Sequence, residues 1–203
     1  MVGGERLAKI AAEGKPVVFV SGHFSNLEVM PAAILSSGIA CDITYRAANN
    51  PYVDARMRQS RFRYGVRMFA PKGEDGAREL LDGMKRGCSV AMMNDQRYDG
   101  GVAAPFFGRP APTLPAAVRL ALRFGTWLQP MSCRRLKGAR FRCTFHPPIV
   151  PTDTGDRAAD IAAGVAAINA FIEERVRESP GEWWWLHKRW PREDYAALEA
   201  AGF

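Results

Sequence analysis

Long apolar runs are missing from this 203-residue chain. Its longest uncharged stretch, Val29 to Cys41, has 13 residues and is broken by Pro31, Ser36, Ser37 and Gly38. A spanning helix needs ~18 or more apolar residues in a row, so no membrane span is expected. No signal peptide is expected either, because Met1 opens onto Gly3, Gly4, Glu5 and Arg6. Cysteine is sparse: Cys41, Cys88, Cys133 and Cys143 form no C-x-x-C pair and have no histidine at a ligand spacing. Free thiols in a reducing compartment fit that pattern, and disulfides or a zinc site do not. Low-complexity segments, repeats and linkers are also absent, which leaves one domain over residues 1–203.

Lysine is scarce as well. Six lysines stand beside 22 arginines, and the net charge is +7. An arginine-rich genome explains this blandly; a surface that meets phosphates explains it functionally, because the guanidinium is a two-pronged phosphate ligand. The positive charge is dense at Arg56–Arg67 and Arg134–Arg142. Nucleic acid, an anionic membrane face and an acidic carrier protein each suit such a surface, and charge alone does not choose among them. The basic residues lack a recognition motif or an aromatic stacking pattern, so nucleic acid is not expected.

What is present is a rhythm of short β-branched runs and helical stretches. Strands are expected at Pro16–Val20, Cys41–Arg46, Val66–Phe69 and Cys88–Met93. Helices are expected after Ser25-Asn26 as far as Gly38, over Pro51–Tyr64 and over Glu74–Arg86. That alternation predicts an α/β fold, with a mainly parallel mixed sheet and helices on both faces. Residues Asn94–Pro115 hold four prolines and three glycines and read as an irregular loop around Phe106-Phe107-Gly108. A helix at Ala116–Phe124, strands at Thr126–Arg135 and Ala139–His146, and a long helix at Asp156–Glu178 complete the pattern, ahead of a tail rich in tryptophan.

The chemically informative segment is Gly22-His23-Phe24-Ser25-Asn26-Leu27-Glu28. Five residues of regular helix would turn two side chains ~140° apart. His23 and Glu28 therefore meet only if His23 sits in the turn ahead of a helix that carries Glu28. Gly22 permits that bend, and Ser25 or Asn26 can cap the helix. A carboxylate beside an imidazole holds one tautomer and stabilises the protonated ring, freeing the other nitrogen to take a proton. The bland alternative is a capping histidine beside a surface glutamate.

This segment resembles the H-x-x-x-x-[D/E] box of the glycerolipid acyltransferase superfamily. Its glutamate, with Phe and Asn inside the box, resembles the branch that adds secondary acyl chains to lipid A precursors. Thr44-Tyr45-Arg46 with Asn50-Pro51, Asn94-Asp95-Gln96 with Pro105-Phe106-Phe107-Gly108, and Trp184–Trp190 are similar to later blocks of that branch, in the same order. The resemblance implies a glycerolipid acyltransferase-like fold and transfer of an acyl chain from an acyl carrier protein thioester to a hydroxyl of a lipid A precursor. His23 would be the general base and Glu28 its orienting partner. Amides near Ser25 and Asn26 would serve as oxyanion donors, and Arg46 would pair with an acceptor phosphate or form a salt bridge to Glu28 or Asp95. Asn94, Asp95 and Gln96 would wall the pocket. Phe106 and Phe107 would line the acyl chain or anchor the loop. His146 and His187 are expected to be non-catalytic, and no cofactor or metal is called for.

The branch usually carries a membrane anchor ahead of the histidine box, whereas here His23 is near the start. Peripheral contact with an anionic membrane, through basic and tryptophan-rich surface at the cytoplasmic face of the bacterial inner membrane, is therefore expected. Two alternatives stay open: the same chemistry on another lipid or metabolite hydroxyl, and a non-catalytic basic domain that binds a membrane or a carrier protein.

Overall fold

The computed structural model describes residues 1–69, 73–185 and 187–200. Its centre is a six-stranded sheet made of β1 (Val18–Ser21), β2 (Cys41–Thr44), β3 (Arg67–Phe69), β4 (Ser89–Met93), β7 (Leu128–Arg135) and β8 (Phe141–Phe145). The strand order is β3-β2-β4-β1-β7-β8, parallel throughout except for the antiparallel β7–β8 pair. The mainly parallel sheet expected from the sequence is therefore the one that forms.

Both faces of the sheet are covered, which explains why β1 (Val-Phe-Val-Ser) is buried at every position. Val18, Val20, Val90 and Met92 belong to the core layer under α5 (Ala116–Phe124) and α6 (Arg157–Glu178). Phe19, Ile43, Met131 and Cys133 belong to the opposite layer, with α1 (Gly4–Glu13) and α2 (Val29–Leu35). Helix α4 (Gly73–Lys85) adds Leu80 and Met84 to the first of these layers, α3 (Pro51–Phe62) lies beside β3, and α7 (Arg192–Ala200) follows the tryptophan-rich segment.

Two differences from the sequence reading have physical causes. Residues 94–115 are not irregular throughout: β5 (Val102–Phe106) and β6 (Arg109–Thr113) form a two-stranded antiparallel ribbon. Its turn is Phe107-Gly108, both with positive φ (50° and 74°), the geometry of a tight hairpin. Three of its prolines lie within the strands (Pro105, Pro110, Pro112), which a ribbon tolerates because each strand has an outer edge with no ladder to complete. The ribbon turns Ala104, Phe106, Ala111 and Thr113 inward. The helix α1 has no counterpart in the sequence reading, because it anchors on only two buried side chains, Leu7 and Ile10.

Candidate active site

The site starts from strand register. β1 and β4 are parallel neighbours with Ser21 opposite Met93, and the Asn94 amide continues the ladder by donating to Ser21 O at 2.9 Å. Two residues past each strand end come His23 and Asp95, side by side at the carboxyl edge of the sheet, where α/β folds bind ligands. Gly22 makes this junction possible: a Cβ there would lie 2.9 Å from the Phe24 ring and 3.3 Å from Asp95 Oδ2.

Asp95 is the carboxylate that holds His23. Its Oδ1 lies 2.6 Å from His23 Nδ1, and its Oδ2 accepts from the His23 backbone N–H at 2.6 Å and from Trp183 Nε1–H at 2.7 Å. The Asp95 side chain is 2% exposed and that of His23 20%. Burial alone would raise the Asp95 pKa. The hydrogen bond and charge of His23, joined by the Trp183 N–H, outweigh burial and hold the carboxyl below the usual carboxylate range. In the neutral imidazole, an ionised acceptor on Nδ1 assigns the ring proton to that nitrogen and leaves Nε2 with its lone pair. Nε2 has no hydrogen-bond partner among the described residues.

The chain's tail clamps the histidine loop from the other side. Phe24 and Trp183 form an antiparallel bridge; Ser25 N donates to Glu182 O at 2.7 Å, and Trp184 N donates to His23 O at 3.1 Å. Trp184 Nε1 adds a bond to Ser25 O at 3.3 Å, and its ring stands 6.3 Å from the His23 ring. The tail is fastened in turn by Arg189, whose side chain lies inside the protein without a carboxylate in ion-pair contact among the described residues. It donates to Pro112 O, Thr113 Oγ1 and Asn169 Oδ1, and it stands over the Phe106 ring at 5.0 Å. Burial lowers its pKa to about 10, against the opposing pull of Asp95, so it stays charged at neutral pH.

Glu28 is placed elsewhere than the box suggests. It caps α2 without a side-chain cap bond, and its carboxylate takes a forked hydrogen bond from Arg61 of α3: Nε at 3.1 Å to both oxygens and Nη2 at 2.5 Å. The orienting role on the imidazole, expected for Glu28, falls to Asp95, because parallel pairing of β1 with β4 delivers Asp95 to Nδ1. The expected use of Ser25 as an oxyanion donor also changes, since its amide is already given to Glu182. Ser25 has positive φ (49°), and its hydroxyl is buried without a partner among the described residues. Asn26 accepts from the Glu28 amide at 3.0 Å, a turn leading into α2.

Asn94 is buried, and both of its amide atoms lack partners among the described residues. Arg46, two residues beyond β2, is exposed and makes neither the Glu28 nor the Asp95 salt bridge. Gln96 is exposed. Phe106 is fully buried against Trp183, Trp190 and Phe107, while the Phe107 amide donates to Glu173 at 2.5 Å; both anchor the ribbon. His146 sits apart, 2.8 Å from Ser132 Oγ, and burial followed by the charge of Arg175 pushes its pKa down to about 4. Trp183 went unrecognised in the sequence because an indole donor to a buried carboxylate leaves no local pattern. No described helix is long and apolar enough to cross a membrane.

The chain is similar to a lipid A biosynthesis acyltransferase of Haemophilus influenzae, 23% identical over 188 residues, covering 91% of this chain and 57% of that protein. It is also similar to the lipid A biosynthesis palmitoleoyltransferase of Escherichia coli K12, 25% identical over 193 residues, covering 92% and 60%. The chain thus spans less than two thirds of the length of these relatives. Among solved structures it resembles the 1-acyl-sn-glycerophosphate acyltransferase of Thermotoga maritima, with a TM-score of 0.46 and 12% identity, over 89% of this chain and 81% of that one. The family model for the bacterial lipid A biosynthesis acyltransferase matches residues 1–192, nearly the whole sequence, and the chain belongs to that family.

Proposed function

We propose that this chain transfers a fatty acyl group from an acyl carrier protein thioester to a hydroxyl of a lipid A precursor, with His23 as general base. The observation that carries the reading is the His23–Asp95 pair at the carboxyl edge of the sheet, with Nε2 free. Nε2 takes the proton of the acceptor hydroxyl as its oxygen attacks the thioester carbonyl, and Asp95 stabilises the imidazolium through Nδ1. The tetrahedral intermediate then expels the carrier's thiolate. That sulfur recovers the proton from Nε2, so the products are ester and thiol and the imidazole is neutral again. The acceptor supplies the nucleophile, and no acyl-enzyme is required. Arg46, exposed at the same sheet edge and without an ion-pair partner among the described residues, suits a phosphate of the acceptor. Membership of the family supports this substrate class, and an anionic glycolipid acceptor fits peripheral work at the cytoplasmic face of the bacterial inner membrane.

The test is consumption of a labelled acyl carrier protein thioester by the purified chain, with and without a lipid A precursor in detergent. Acceptor-dependent ester formation lost in His23→Ala and Asp95→Asn supports the reading. Acceptor-independent hydrolysis, lost in the same variants, would redirect it to another hydroxyl. Transfer that persists in His23→Ala would overturn the mechanism.

A further inference from the structure

Helix α3 buries none of its residues. Only Asp54, Met57 and Arg61 are even partly covered, and at 100° per residue these three share one arc of ~60°. They face inward: Asp54 accepts from Tyr45 Oη–H and the Ala48 amide, and Arg61 holds Glu28. The rest of the circumference is open. Tyr52 is 85% exposed, Phe62 74% and Tyr64, just past the helix, 80%. Among them stand Arg56, Arg58 and Arg63, none with an ion-pair partner among the described residues. Arg56 and Arg63 line one shallow groove with Ala55, Gln59 and Ser60.

A helix with no buried residue gains little from tertiary packing, so its apolar groups must be accounted for by something outside the fold. The chemistry of the face narrows what that is. Three unpaired guanidinium groups call for anionic partners, and phosphates match their fork. Three well-exposed aromatic rings call for a medium that is apolar at one depth and wet at another, as a lipid interface is. An acidic protein surface would satisfy the arginines and leave the rings in water.

We infer that the outer face of α3 is the seat of this protein on an anionic lipid surface, with the rings entering the headgroup boundary and Arg56, Arg58 and Arg63 binding lipid phosphates. On the inward arc, Glu28–Arg61 and Asp54–Tyr45 tie α3 to the segments that follow β1 and β2. The seat therefore stands at the rim of the His23 site. Its use in delivering an acceptor to His23 rests on the proposed function; its binding to lipid does not.

The experiment is co-sedimentation of the purified chain with vesicles of phosphatidylcholine alone and of phosphatidylcholine mixed equally with phosphatidylglycerol. Binding to the anionic vesicles is expected, weakening with salt. Each arginine near an anionic surface is worth about fivefold, so Arg56→Gln/Arg58→Gln/Arg63→Gln should weaken binding roughly a hundredfold. Tyr52→Ser/Phe62→Ser/Tyr64→Ser should remove the part that survives high salt. All six positions are exposed, so circular dichroism should be unchanged. The triple variant Arg134→Gln/Arg140→Gln/Arg142→Gln, in the other basic cluster, should bind like wild type. The inference is overturned if vesicle binding is absent, if the second cluster carries it, or if the α3 variants lose affinity for acyl carrier protein while keeping that for vesicles. Since turnover is not read, these outcomes are separate from failure of the proposed chemistry.

Discussion

Two acidic residues border the same histidine loop, and they are held in opposite ways. Asp95 is enclosed, with both oxygens bonded to His23 and one also to Trp183. Glu28 is 56% exposed at its side chain and held by a single arginine from a helix that buries nothing. The first arrangement resists water and movement, so its charge acts at full strength on one ring nitrogen. The second is screened and adjustable, as suits a rim that meets a partner. The lesson is that a carboxylate's place in a sequence motif and its place in the electrostatics of a site are separate facts.

The widest test of this contrast is kinetic. Asp95→Asn should lower transfer about 10²–10⁴-fold, the range for losing general-base function, and His23→Ala should be no milder; single-turnover acyl transfer measures both. Next is Trp183→Phe, which keeps most of the ring and deletes one donor to a buried carboxylate. A hydrogen bond to a charged group is worth about 1.5–3 kcal/mol, to be read from denaturant unfolding. The sign with pH follows from the depressed Asp95 pKa. The folded-state value lies below the unfolded one of about 3.9, so the stability it contributes is present above that pH and is lost as pH falls through the folded value. Trp183→Phe should raise the folded value and narrow that window.

Much of this contrast was legible in the sequence, but not the pairing. Short β-branched runs gave the order of elements, and the strand ends put His23, Arg46 and Asp95 on one edge. Which strands are neighbours is a long-range matter: β1 lies between β4 and β7, and no local pattern in Val18–Ser21 says so. The adjacency Glu28 shares with His23 along the chain suggested a contact that the turn at Ser25 and the pull of Arg61 do not provide. The ribbon of β5 and β6 was hidden by prolines that would have broken a central strand.

Smaller effects sharpen the comparison. Asn94 is enclosed like Asp95, yet its side-chain amide has no partner among the described residues. Asn94→Leu should therefore stabilise the fold by about 1 kcal/mol, since an orphaned buried polar group costs that much; thermal unfolding reads the change. If activity falls while stability rises, the amide serves the substrate. Smallest is the exposed pair: Glu28→Gln and Arg61→Gln should couple by about 0.5 kcal/mol. The double variant should then be no worse than either single one in the same unfolding assay. Full additivity would detach Glu28 from α3.

The clamp between residues 23–25 and 182–184 also has a consequence for how the protein comes into being. The histidine is made first, its carboxylate next, and the indole that braces the pair 88 residues after the carboxylate. At ~5–20 residues per second, Asp95 waits about 4–18 s on the ribosome for Trp183. Throughout that interval the nascent chain holds an unfinished pair whose loop has no tail to brace it. The indole donor to Asp95 is thus the last part of this cluster to be made, and a ribosome that stops before Trp183 releases a chain with every residue of its histidine box and no tail strand to brace it.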